Sequence, residues 1–133
     1  MGDGEETIRG GGVMRIYIVE DAPERMEWFR KTFNDCEIYH TFNVQQACKD
    51  IEENEYDIIF LDRDLSHPKY NGEDIAWHMM ENKLAEKAAV VIHSVNPRGQ
   101  RSMKKYLDRY HSQVYQIPFT ELRKMKREDF QLS

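Results

Sequence analysis

Cysteine is scarce in this chain. Cys36 and Cys48 are the only two, and they lack the C-x-x-C spacing of a redox or zinc pair. They read as reduced thiols of a core or a surface. No apolar run approaches the roughly 20 residues that a membrane span needs, which argues against a membrane partner. Residues 1–13 are Gly-rich and acidic, unlike a secretory signal peptide, so a cytoplasmic location is expected. No Ser/His/Asp or Cys/His triad is legible, which argues against acyl transfer. No nucleic-acid-binding motif is present, and 24 acidic against 19 basic residues disfavour double-stranded nucleic acid as the main partner.

What is present fits one domain. The chain has 133 residues, 40% of them apolar and 32% charged, enough for a single core. Residues 1–13 show no apolar periodicity and include Gly10, Gly11 and Gly12. They read as a flexible leader, with the single domain over 14–133 and Met14 a candidate natural start. The charge is polarised: residues 97–127 carry nine basic and two acidic side chains, while residues 14–96 carry nine basic and 17 acidic ones. Such separation can set a metal site beside an anion site, or merely distinguish two helical surfaces.

Strand and helix signals alternate from Met14 onward. Arg15–Val19, Glu37–Thr41, Asp57–Leu61, Ala89–Ile92 and Val114–Ile117 are short runs rich in β-branched residues. Between them lie helical faces: Met26, Phe29 and Phe33; Val44, Ala47, Cys48 and Ile51; Ile75, Ala76, Met79 and Met80; Met103, Tyr106, Leu107 and Tyr110. Asp21 is the expected N-cap of the first helix and Asn43 that of the second. A short last helix is expected near Thr120, and Arg123–Arg127 reads as a solvated tail. Five strands alternating with helices predict an α/β fold, a doubly wound five-stranded parallel sheet of order 2-1-3-4-5. Such sheets bind ligands beyond the carboxyl ends of their strands.

That rule selects Glu20, Asp21, Asp62 and Asp64, which follow the first and third strands. Four carboxylates gathered in one region repel one another unless a cation neutralises them, and hard oxygen donors suit Mg²⁺ or Mn²⁺. The plainer alternative is that each acid caps a helix or turn, or pairs locally, as Asp64 can with Arg63. After the fourth strand, His93 can bind metal or move a proton. Ser94 and Asn96 can donate to phosphate oxygens or stabilise the turn. Arg98 and Arg101 open a helix whose amides favour an anion, and can clamp a phosphate. Lys104, Lys105 and Arg109 read as a solvated face. His67 and Tyr70 can flank a base or lie exposed, whereas His40, His78 and His111 have no placement that favours chemistry. Trp28 and Trp77 read as core or interface residues.

Glu20-Asp21, Asp62, Ser94 and the closing Pro118-Phe119 resemble the receiver domain of bacterial response regulators over about residues 14–122. The resemblance implies a flavodoxin/receiver-like fold, Mg²⁺ on the acidic pair and Asp62, and Asp62 as phosphoryl acceptor. The family's lysine before the proline is Ile117 here, so its charge is missing. Arg98 and Lys104, on the preceding helix, are the cations considered for its place.

The chain is more similar still to the cyclic-phosphate-processing branch of receivers. It carries Asp21-Ala22-Pro23-Glu24-Arg25, Leu61-Asp62-Arg63-Asp64-Leu65 and His93-Ser94-Val95-Asn96-Pro97-Arg98-Gly99. Arg63 departs from the branch, which has His there. This resemblance implies metal-assisted binding or cleavage of a small phosphorylated ligand, with a cyclic nucleotide as the candidate. Three readings follow. The first is a metal-dependent phosphoesterase using Asp21, Asp62 and Asp64 for metal, His93 as acid or base, and Asn96 and Arg98 for phosphate. The second is a non-catalytic nucleotide-binding or sequestering module. The third is a phosphoacceptor receiver using Asp62. A signalling output would need a separate protein partner.

Overall fold

The computed structural model describes residues 12–130, so the expected leader falls outside the described residues except for Gly12 and Val13. The chain runs β1 (Arg15–Val19), α1 (Pro23–Thr32), β2 (Glu37–Thr41), α2 (Val44–Glu53), β3 (Ile58–Leu61), α3 (Gly72–Asn82), β4 (Ala89–Ile92), α4 (Pro97–Leu107), β5 (Val114–Gln116) and α5 (Phe119–Leu122). A 3₁₀ turn over Arg127–Phe130 follows. All strand pairs are parallel and the order is β2-β1-β3-β4-β5, as the alternation predicts. None of the described helices is long and apolar enough to cross a membrane.

The two-residue period of the strands divides the core. Tyr17, Val19, Ile59, Leu61, Val90 and Ile92 pack with Val44, Ala47 and Ile51 of α2, Ile75 and Met79 of α3, and Met103 and Leu107 of α4. Ile16, Ile18, Ile58, Phe60 and Val91 face the other way, against Met26 and Phe29 of α1, Phe33 and Leu122. Both faces of β1, β3 and β4 are therefore covered, which is why these strands read as unbroken apolar runs. The edge strands β2 and β5 are largely exposed.

Two local expectations are corrected. Asp21 does not cap α1. The N-cap is Ala22, with no side-chain bond, and Pro23 occupies the first helical position. The carboxylate that meets the nearby amides is Glu20: its Oε2 accepts the N–H groups of Asp21 and Ala22 at 3.1 and 3.0 Å. Nor is the C-terminal basic segment a free tail. Met125 and Phe130 pack on the α1 side of the core, and Arg127 donates to Asp35 at 3.0 and 3.1 Å while lying over Phe33. Burial of Phe130 anchors the segment, and the alternating cations around Met125 hid that anchor. Asn43 does cap α2, accepting from the Gln46 N–H at 2.8 Å.

Candidate metal and phosphate site

The register of the sheet assembles the site. Val19 pairs with Leu61, and Leu61 with Ile92. The ladder continues one residue further, with Asp62 N–H donating to Val19 O and His93 N–H to Leu61 O. Glu20, Asp62 and His93 are thus neighbours in the next row across β1, β3 and β4. Strand alternation turns them toward α1, the side opposite Val19, Leu61 and Ile92. All three are buried, and their donor atoms lie within 4.8 Å of one another.

His93 Nε2 lies 2.7 Å from Glu20 Oε1. With Glu20 ionised, Nε2 carries the hydrogen and donates it. The imidazole sits among Phe29, Phe60 and Phe119, with ring centroids 5.5 to 6.4 Å away, and its Nδ1 is buried without a hydrogen-bond partner among the described residues. His93 is fully enclosed and stands behind Glu20, so it reaches the cleft only through that carboxylate.

The two acids differ electrostatically. Burial pushes the Glu20 carboxyl up, but the His93 hydrogen bond and charge, the Ala22 N–H and Arg25 outweigh it and leave Glu20 below its ordinary value. For Asp62 burial dominates. The His93, Arg63 N–H and Arg25 contributions oppose it, the Glu20 charge reinforces it, and the carboxyl is pushed up to about 6. One carboxylate is held firmly ionised while its neighbour is charged against its surroundings.

Glu20 and Asp62 form the floor of an open cleft of about 680 Å³ whose walls include Asp21, Arg25, Arg63, Asp64, Ser66, His67 and Val95. The four expected carboxylates all line this cleft, but only Glu20 and Asp62 join His93. Asp21 accepts from the Ser66 hydroxyl. Asp64 is exposed and pairs with Arg63 at 2.7 Å, and Arg63 also donates to Glu73 at 2.6 Å. Asp62 Oδ1 accepts the Arg63 N–H at 2.8 Å. The start of α3 packs directly on this peptide: Gly72 N–H donates to Arg63 O, and a Cβ at Gly72 would stand 2.1 Å from Asp62 O. Gly99 leaves room for the Arg63 stem, which a Cβ there would meet at 2.3 Å.

The loop after β4 uses its polar groups internally. Ser94 Oγ accepts the Asn96 N–H at 3.1 Å, and Asn96 Oδ1 caps α4 by accepting the Gly99 N–H at 3.1 Å. Arg98 and Arg101 are exposed and do not line the cleft. Lys104 is engaged with Asp108. Neither Arg98 nor Lys104 stands in for the lysine that Ile117 displaces. The cation that faces both Glu20 and Asp62 is Arg25, which the sequence reading left without a role. Its Nη1 lies 3.6 Å from both Glu20 Oε1 and Asp62 Oδ2, and its guanidinium covers Phe119 at 5.0 Å. One signal was available: a cation in the first turn of a helix opposes the helix dipole.

A profile of the cyclic-phosphate processing receiver domain matches residues 16–109. No curated protein matches the chain. Several solved receiver structures resemble it. Response regulator protein TrrA of Thermotoga maritima, in complex with Mg(2+)-BeF, is 20% identical over 84% of this chain and 95% of its own, with a TM-score of 0.63. The Mn(2+)-bound form of response regulator Rcp1 is 18% identical over 86% and 90%, with a TM-score of 0.66. The receiver domain of a Pseudomonas aeruginosa sensor histidine kinase, solved with a magnesium ion in its active site cleft, is 16% identical over 89% and 91%, with a TM-score of 0.63. At such identities the likeness is one of fold. The profile match runs from β1 into the turn after α4 and takes in all three acidic and histidine positions, and the chain belongs to the cyclic-phosphate processing receiver domain family.

Proposed function

We propose that this protein binds Mg²⁺ or Mn²⁺ on Glu20 and Asp62 and uses the cleft above them to bind and hydrolyse a small cyclic phosphate, a cyclic nucleotide being the candidate. The observation that carries this reading is the buried Glu20–Asp62–His93 cluster at the floor of an open polar cleft. Two carboxylates this close are neutralised incompletely by one guanidinium at 3.6 Å, and burial, reinforced by the Glu20 charge, pushes the Asp62 carboxyl up. The two carboxylates offer hard oxygen donors that suit Mg²⁺ or Mn²⁺, with retained waters completing the shell. Asp21 and Asp64, on the walls of the same cleft, are the reserve ligands.

A bound divalent ion supplies Lewis-acid polarisation of a phosphoryl oxygen and a more acidic water. The chain's own residues do the rest. Glu20 and Asp62 hold the charge. His93 fixes the rotamer of Glu20 and is a positioning residue. Arg25 faces the incoming phosphate; Ser94 and Asn96 lie in the β4–α4 loop, and Arg98 and Arg101 at the start of α4.

The test is a turnover assay. Protein with Mn²⁺ or Mg²⁺ is incubated with cyclic mononucleotides, 2′,3′-cyclic phosphates and cyclic dinucleotides, and the products are separated by chromatography. Metal-dependent product that disappears in Asp62→Asn supports the reading. Retention of a nucleotide without product supports the binding module instead. Labelling of Asp62 by acetyl phosphate, with no turnover, supports the phosphoacceptor reading.

A further inference from the structure

We infer that Arg25 is a built-in counter-ion that opposes metal entry into the site and then serves the phosphate once metal is bound. The inference rests on the metal-binding reading above. Arg25 lies in the first turn of α1, where the helix dipole disfavours a cation, yet its side chain turns back over the strand ends and is only 25% exposed. Its placement answers the carboxylates. Nη1 stands 3.6 Å from Glu20 and 3.6 Å from Asp62, which is ion-pair range but beyond the roughly 2.7–2.9 Å of a charge-assisted hydrogen bond. No hydrogen bond anchors the guanidinium among the described residues, and the Phe119 ring beneath it holds it by its face. The group neutralises the pair without being locked to it.

Such a cation has two opposite effects. A divalent ion approaching Glu20 and Asp62 meets a like charge already seated on the same oxygens, and must displace it or bear the repulsion. Displacement need not carry Arg25 out of the cleft, because Phe119 still supports the guanidinium. Its N–H donors then face outward and suit a phosphate in the fork geometry of arginine. A phosphate's negative charge in turn relieves the repulsion between the two cations. Metal and phosphate therefore raise each other's affinity through Arg25, a coupling that is reciprocal by thermodynamic necessity. This gives the site the positive charge that Ile117 does not supply.

The two effects have opposite signs, and that separates this role from a structural one. Mg²⁺ is titrated calorimetrically into wild type, Arg25→Gln, Arg25→Lys and Asp62→Asn at pH 8, first alone and then with inorganic phosphate. Arg25→Gln is expected to bind Mg²⁺ alone about tenfold more tightly, and to bind phosphate in the metal-loaded state about tenfold more weakly. Arg25→Lys keeps the charge and is expected between wild type and Arg25→Gln in both titrations. If wild type binds Mg²⁺ in a manner lost in Asp62→Asn while Arg25→Gln binds it equally or more weakly, this inference is overturned and the functional reading stands. If wild type and Asp62→Asn do not differ in Mg²⁺ binding, both fall.

Discussion

Replacing Asp62 by asparagine should make the metal-free protein more stable, and only above the carboxyl's ordinary pKa of 3.8, where the unfolded chain ionises it. The Asp62 carboxyl is raised from its ordinary 3.8 to about 6, chiefly by burial. A shift of about two units corresponds to a cost of about 3 kcal/mol for holding the charge in the folded state. The sign follows from proton binding. Well below 3.8 the carboxyl is protonated both folded and unfolded, and it carries no penalty. Between 3.8 and 6 the folded state binds the extra proton, so wild type loses stability as the pH rises, reaching the full loss above 6. Asparagine keeps the acceptor for the Arg63 N–H and escapes the charge, although Arg25 loses one partner. The gain should therefore fall somewhat short of the ceiling, at about 1–3 kcal/mol, or roughly 5–10 °C in Tm for a domain of this size. Thermal unfolding followed by circular dichroism, in chelator, from about pH 3 to 8, reads it directly. The wild-type and Asp62→Asn curves should nearly meet at the acid end, below the ordinary 3.8, separate as the pH rises to about 6, and stay apart above it. An Asp62→Asn protein that is less stable than wild type at pH 8, or a difference independent of pH, would refute the reasoning.

Other expectations concern the groups that shape the site. Gly72→Ala places a Cβ against the Asp62 carbonyl, a backbone atom that cannot swing away, and should cost about 3 kcal/mol or more in chemical denaturation. Gly99→Ala meets only the Arg63 stem, so its smaller cost should be recovered in the Gly99→Ala/Arg63→Ala double variant. His93→Ala strips Glu20 of its buried partner and opens a void among Phe29, Phe60 and Phe119, with an expected loss of about 3–5 kcal/mol in urea unfolding at pH 7.

The order of the sheet was legible because each strand is a short, dense β-branched run and each helix shows its own apolar face. The site was legible as a neighbourhood but not in detail. Glu20 and Asp21 are adjacent in sequence, and nothing in their types says which one enters the cluster. Strand parity decides it: Glu20 continues the alternation of β1 onto the α1 side, in line with Asp62 and His93, while Asp21 has already left the sheet. The same parity puts His93 within the aromatic box around Phe29 rather than at the cleft surface. Ser94 and Asn96 pointed to phosphate or to a turn with equal force, and the structure shows them bonded within the turn. Arg25 was overlooked because it sat inside a helix-start signal already explained by Pro23 and Glu24. Its conflict with the helix dipole was the clue.

The most direct test of the account is a count of Mn²⁺ ions bound to the wild-type protein, by electron paramagnetic resonance of the free ion at pH 8. The account predicts one saturable site per chain, lost in Asp62→Asn and in Glu20→Gln. Absence of saturable binding, or a site that persists in both variants, would contradict it.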